Sequence, residues 1–172
     1  MTRGDVIDRD MSPRSPTDSE SQVSELMMPQ DVNNLGNVFG GAILSMVDRA
    51  AAVAAMRHSG CTTVTVSIDR VDFKEPIYAG ELVTCKARVN YVGRTSMEVG
   101  VRVEAEDLLS GVKRHTNTCY LTFVAIDSHG RPIPVRPLKL ETDIQKKHWN
   151  EAKKRREYRQ KLAAELGEEG YS

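Results

Sequence analysis

A single carboxylate, Asp48, stands inside the run Ala42 to Met56, where the only other polar residues are Ser45 and Arg49. That composition belongs to a helix buried nearly all round rather than to a surface amphipath. Desolvating a carboxylate costs several kcal/mol unless hydrogen bonds or an opposite charge offset it. Asp48 is therefore either paired, with Arg49 or a backbone group, or functional. An ionised carboxylate in such a place can act as a general base or as a nucleophile. Immediately ahead of the helix lies Asn33-Asn34-Leu35-Gly36-Asn37-Val38-Phe39-Gly40-Gly41. Its small residues let a substrate approach the backbone, and the exposed N–H of Gly40 or Gly41 could hold a carbonyl oxygen as negative charge develops on it. The glycines do not form G-x-G-x-x-G, and no Lys-Ser or Lys-Thr follows, which argues against dinucleotide and P-loop sites.

The two chemical features cannot meet within one helix. At a rise of about 1.5 Å per residue, Asp48 lies roughly 10 Å along the axis from Gly41, too far for both to act on one carbon. Two antiparallel copies across a two-fold axis would bring the acid of one beside the helix N-terminus of the other. This reading needs Asp48 to turn away from solvent and from its own sheet. Other chemistries find little support. There is no G-x-S-x-G elbow, and His58, His115, His129 and His148 stand in scattered contexts, read as a helix end, a strand, a turn and a surface helix. Cys61, Cys85 and Cys119 are far apart and odd in number, so they read as reduced thiols, and no metal site is expected.

The elements that must position these residues follow from hydrophobic periodicity. The 172 residues, 40% hydrophobic and 28% charged, suit one domain with tails. Residues 1–22 are rich in Ser, Asp, Arg and Pro and read as a disordered N-terminal arm. They have no secretory or import character, and no apolar run is long enough to span a bilayer, so a cytoplasmic location is expected. The domain is expected over 23–140, and a charged C-terminal helix and tail over 141–172. Val23 to Met28 reads as a first strand, a loop follows, and the apolar helix runs from about Gly41 to His58. Thr62 to Phe73 alternates with Val64, Val66 and Ile68 on its buried face. Leu82 to Val92, Ser96 to Glu106 and Val112 to Ile126 form an antiparallel meander with short turns. A helix apolar all round must be wrapped by those strands, which predicts an α+β fold with a curved antiparallel sheet around one helix. Glu141 to Leu166 favours helix with a thin apolar stripe at Ile144, Trp149, Ala152, Leu162 and Leu166. Within it Lys146 to Lys161 holds eight Lys or Arg against two Glu.

The motifs carry a resemblance. Leu26-Met27-Met28-Pro29, Asn33, the Gly36-Asn37-Val38-Phe39-Gly40-Gly41 run and Asp48, followed by Val64 to Asp69 and Gly93-Arg94-Thr95-Ser96-Met97-Glu98-Val99, resemble the hotdog-fold acyl-CoA thioesterases of the cytosolic acyl-CoA hydrolase group. The likeness covers Val23 to about Pro137. It implies hydrolysis of acyl-CoA to a fatty acid and CoA, with Asp48 as the catalytic carboxylate and Asn37 as an amide that places water or thioester. It puts these two on opposite subunits, with a backbone N–H near Gly41 polarising the thioester carbonyl. Whether Asp48 acts as base or nucleophile stays open. The family's minimal unit is a dimer joined edge to edge, often in trimers of dimers, hence a hexamer. CoA enters as part of the substrate, and no separate cofactor is implied. Arg94, Thr95 and Ser96 offer a cation, hydroxyls and turn N–H groups for CoA phosphates. Hotdog dehydratases use a His near the helix start, and none stands between Met1 and Arg57. The alternative is a non-catalytic acyl-CoA-sensing hotdog module whose basic C-terminal segment binds nucleic acid. A solvated helix face explains that segment as well, so a nucleic-acid or membrane partner is not favoured.

Overall fold

Alternating Val, Thr and apolar residues produce five strands: β1 Ser21–Leu26, β2 Thr62–Ile68, β3 Glu81–Val92, β4 Ser96–Asp107 and β5 Lys113–Ile126. The apolar run gives helix α1, Gly40–Ser59, and the charged segment gives α2, Asp143–Leu166. These elements are described by a computed structural model covering residues 9–167. The strands form one antiparallel sheet in the order β1-β3-β4-β5-β2. The β3-β4-β5 meander sits in the middle, and α1 carries the chain from β1 at one edge to β2 at the other. The sheet curls around α1, which gives the expected α+β hotdog arrangement.

Burial follows from the sequence of α1. Ile43, Met46, Val47, Ala50, Ala51, Ala54 and Ala55 pack against Val83, Val89, Val99, Val101, Leu121 and Phe123 on the inner face of the sheet. The alanines allow the helix to lie close to the strands, and densely packed side chains fill what remains. Gly60, at φ 69°, closes the helix with its N–H on the carbonyl of Met56.

Helix α2 lies on the opposite, outer face and is attached in another way. Ala152 is buried and Trp149 packs on Tyr91 at 5.5 Å, but Ile144, Leu162 and Leu166 are exposed. The expected apolar stripe is therefore not the main contact. The outer face presents Glu98 and Tyr120, so arginines meet it: Arg155 Nη2 donates to Glu98 at 2.7 Å and its guanidinium stacks on Tyr120 at 3.7 Å. Arg159 bridges Asp69 at 2.6 Å and Glu98 at 3.2 Å. Thr142 and Gln145 form a capping box that starts the helix.

Three boundaries differ from expectation. The segment 9–22, expected as disordered, pairs along 137–139 through the Arg14 N–H to Pro137 and the Lys139 N–H to Arg14, and Pro16 and Ser19 are buried. Backbone pairing orders it despite a polar composition; residues 1–8 lie outside the described residues. Strand β1 starts at Ser21 rather than Val23 because its polar residues still pair with β3, and it ends at Leu26. Strand β2 stops at Ile68, not Phe73, and its apolar residues do not form a buried face: Val64 and Ile68 are exposed, and Val66 is only half-buried at a register shift between Thr65 and Ser67. Thr65 stands opposite the core residue Phe123, so the threonine side of this edge strand faces α1.

Candidate active site

The loop before α1 is built by asparagine. The Oδ1 atom of Asn33 accepts the N–H groups of Leu35 (2.9 Å) and Asn37 (3.3 Å), while the Asn33 N–H donates to the Asn37 carbonyl at 2.7 Å. Side chains of this type mimic backbone in tight turns, and Gly36 supplies the positive φ of 80° that the turn requires. With its oxygen engaged, the Asn33 amide has its NH₂ left as the available donor. The Asn37 side chain makes no hydrogen bond among the described residues. Asn37 pairs through its backbone with Tyr78, and the Val38 N–H reaches the Ile77 carbonyl at 2.7 Å.

That neighbouring segment, just ahead of β3, is clamped in turn. Glu81 accepts the Tyr78 N–H at 2.9 Å and takes two hydrogen bonds from Arg114, whose Nη2 also reaches the Pro76 carbonyl at 2.6 Å. Hydrogen bonds from Arg114 hold the Glu81 carboxyl below its ordinary pKa, against the opposing effect of burial.

At the start of α1 none of the described hydrogen bonds uses the N–H of Gly40 or Gly41, so both donors point out of the helix end. Two aromatic rings flank them. A Cβ on Gly40 would lie 3.2 Å from Phe73, and one on Gly41 would run into Phe39. Glycine at these positions keeps room between two exposed rings, Phe39 and Phe73.

Asp48 is not paired with Arg49, which bonds Glu25 on β1 at 2.7 Å. Its partner is Thr65: the hydroxyl donates to Asp48 Oδ1 at 2.7 Å. The acid thus does face its own sheet, contrary to the requirement stated above, but at the sheet's open edge. Thr65 is the residue that sequence reasoning missed, since a threonine in an alternating strand carries no special signal. Oδ2 of Asp48 accepts no hydrogen bond among the described residues.

The turn between β3 and β4 closes with the Gly93 N–H on the Ser96 carbonyl at 2.8 Å. Arg94 is exposed, whereas Thr95 and Ser96 are buried, with the carbonyls of Arg94 and Thr95 taken by Val135 and Ala125. Register carries Ser96 across to Val124 and then to Val64, next to Thr65. Two strand spacings, roughly 10 Å, therefore separate the turn from the edge that holds Asp48. His58 is buried at the end of α1 on the Arg136 carbonyl, and burial lowers its pKa. Cys85 and Cys119 are buried free thiols, and burial pushes Cys85 up to about 12. Among the described residues no cluster of His, Cys, Asp or Glu could hold a metal, and no helix is long and apolar enough to cross a membrane.

A curled antiparallel sheet around one apolar helix, with a carboxylate at the open edge, defines a hotdog protein. The thioesterase superfamily matches residues 35–112. The uncharacterized acyl-CoA thioester hydrolase YkhA of Bacillus subtilis is 40% identical over 148 residues, covering 82% of this chain and 86% of its own. Two solved structures are similar throughout. An apo-hexameric acyl-CoA thioesterase is 39% identical with a TM-score of 0.85, over 89% of this chain and 98% of its own. The acyl-CoA hydrolase of Staphylococcus aureus, solved with butyryl coenzyme A, coenzyme A and coenzyme A disulfide, is 35% identical with a TM-score of 0.83, over 90% and 94%. Structures of that hydrolase with an aspartate, an asparagine or a threonine replaced by alanine match equally well. The chain belongs to the hotdog-fold acyl-CoA thioesterases of the thioesterase superfamily.

Proposed function

We propose that this protein hydrolyses the thioester of acyl-CoA at a site built around Asp48. The observation that carries the reading is the Thr65 hydrogen bond to Asp48 Oδ1 at 2.7 Å. It fixes the carboxylate at the sheet edge and leaves Oδ2 to meet a water or the thioester carbon. The substituted residues of the Staphylococcus aureus hydrolase support the same grouping. Its asparagine and aspartate are fifteen positions apart and its aspartate and threonine seventeen, the separations of Asn33, Asp48 and Thr65 here. That spacing favours Asn33, with its outward NH₂, over Asn37 as the amide that places the thioester or water. The N–H groups of Gly40 and Gly41 serve as donors to the developing oxyanion. Phe39 and Phe73 supply apolar walls beside them, and Arg94 meets the phosphates of CoA.

The roughly 10 Å along α1 from Gly41 to Asp48 calls for two chains. Strand β2 is an open edge with Val64 and Ile68 exposed, the surface on which a second copy adds its own β2. The hexameric relative fits a trimer of such dimers.

Asp48→Ala is expected to lower kcat on short-chain acyl-CoA by about 10²–10⁴ with unfolding unchanged, as read by thiol release. Asn33→Asp keeps the acceptor that builds the loop but removes the NH₂ donor, and is expected to lower kcat more than Asn37→Ala. Full activity in the aspartate variant would sink the assignment, and a larger loss in Asn37→Ala would return the amide role to that residue. Mixing Asp48→Ala with Asn33→Asp chains should restore hydrolysis through mixed dimers; no recovery after verified subunit exchange would place both residues in one chain's site.

A further inference from the structure

Helix α1 ends on a histidine that the proposed chemistry does not use. His58 is fully buried, with Nε2 3.1 Å from the Arg136 carbonyl. A carbonyl only accepts, so Nε2 carries the proton and the neutral ring keeps a bare lone pair at Nδ1. That Nδ1 is buried and has no hydrogen-bond partner among the described residues.

The groups gathered at this end of α1 are mainly cations. The strip after β5 contributes Arg136, itself buried, with Nε unpartnered and its guanidinium beside Gly60. Segment 9–19 contributes Arg14, which donates to the Arg57 carbonyl, and Arg9, which reaches Cys61 Sγ at 3.2 Å and the Pro134 carbonyl at 2.8 Å. Arg57, on α1 itself, donates to the Glu20 carbonyl. Among the described residues the one acid bonded to any of these four arginines is Asp10, an exposed side chain 3.1 Å from Arg136. The same contacts tie segment 9–19 down, together with the Arg14 N–H on the Pro137 carbonyl and the Lys139 N–H on the Arg14 carbonyl. The strip is stitched in turn to the β3–β4 turn by the Val135 N–H on the Arg94 carbonyl at 3.0 Å.

A protonated His58 does not suit this place. Its Nδ1–H would have no acceptor, and its charge would join a group of arginines. Burial lowers the pKa of the ring; the Arg136 carbonyl opposes this, and the charges of Arg136 and Arg14 add to the lowering.

We propose that His58 is an acid-operated latch: when its ring takes a proton, segment 9–19 and the strip 133–139 come away from the end of α1. The released ring titrates near its ordinary value of 6.5, so the open form binds the extra proton. The closed form therefore has its full stability above that value and loses up to about tenfold per pH unit below it. Asp10 stays ionised over this range, since its pKa lies below 3.8. Opening breaks the Val135 bond and frees the turn that bears Arg94, so affinity for acyl-CoA falls in acid; this last step rests on Arg94 meeting CoA.

The full chain is followed from about pH 7.5 to about pH 5 by hydrogen-exchange protection factors and by the ¹⁵N shifts of the His58 ring. Protection over 10–19 is expected to fall at least about tenfold while β4 keeps its own, and the ring to take its proton over the same interval. His58→Gln does not titrate and offers an amide donor to the Arg136 carbonyl, so its protection over 10–19 should stay flat. The KM for a short-chain acyl-CoA should rise on acidification more in the wild type than in His58→Gln. Unchanged protection of 10–19 in the wild type overturns the latch, as does an equal fall in the folded His58→Gln. Protonation of the ring with the segment still protected also overturns it, without any variant, and loss of β4 protection in step would show global unfolding instead. Opening of the segment with KM unmoved supports the latch and counts against Arg94 as the contact for CoA.

Discussion

The two helices of this protein are held by opposite physics. Helix α1 is fastened by apolar contact along one face, where Ile43, Val47 and Ala51 are fully enclosed, while Ser45, Arg49 and Met56 on the other side are exposed, so it is not buried nearly all round as its composition suggested. Helix α2 rests on a sheet face that offers it a buried glutamate, Glu98, and is fastened by Arg155 and Arg159. The first arrangement cannot be loosened without opening the core. The second can be undone by removing one charge, because a buried ion pair that loses a partner leaves an uncompensated charge behind. The residue proposed to do chemistry sits on the more firmly packed helix.

Trp149 lies on α2 against Tyr91, so its fluorescence follows the docking of α2 while far-UV circular dichroism follows the whole fold. The largest effect is expected from Glu98→Ala. Glu98 is 2% exposed, and its loss should cost about 3–5 kcal/mol, with the Trp149 signal lost at lower urea than the dichroism. Coincident transitions would show that α2 is part of the core after all. Ile43→Ala should cost somewhat less, about 2–4 kcal/mol through lost contact and a cavity, and should move both signals together. A split between them would break the contrast from the other side.

A smaller effect is expected from Glu81, whose pKa is lowered mainly by Arg114. A depressed carboxyl pKa adds stability above its ordinary value of 4.5, and that stability is lost as pH falls through the folded value. Urea midpoints taken from pH 6 downward should therefore drop less steeply in Glu81→Gln than in the wild type. Parallel slopes would deny the Arg114 clamp this role. The smallest effect is expected from salt. The Lys147–Glu151, Lys153–Glu157 and Lys161–Glu165 pairs on α2 are exposed, so 1 M NaCl should change stability by well under about 1 kcal/mol.

What could be read from the sequence divides along the same line. Periodicity located α1 and the three meander strands almost to the residue, because each has one apolar partner surface and a glycine-bearing turn to end it. Asp48 was legible as the one acid in an apolar helix. Its partner Thr65 was not, since the strand pattern assigned its side of β2 to solvent. An edge strand breaks that rule: Val64 lacks a neighbour to cover it, and the threonines turn toward α1. The Glu98 network was equally hidden. Arg155 and Arg159 lie 57 and 61 positions from Glu98, and no local pattern relates them. The order of segment 9–22 depends on the 137–139 strip, again a contact between distant stretches.

One consequence lies in the placement of Thr65. The hydroxyl that holds Asp48, the carboxylate proposed to do the chemistry, belongs to the sheet's outermost strand, whose free backbone groups are open to any extended peptide. If a second copy pairs there as proposed, a short β-strand mimic laid along β2 would take its place without entering the substrate pocket. Inhibition would then rise with dilution of the protein and be blind to acyl chain length, the signature of a drug that acts on assembly.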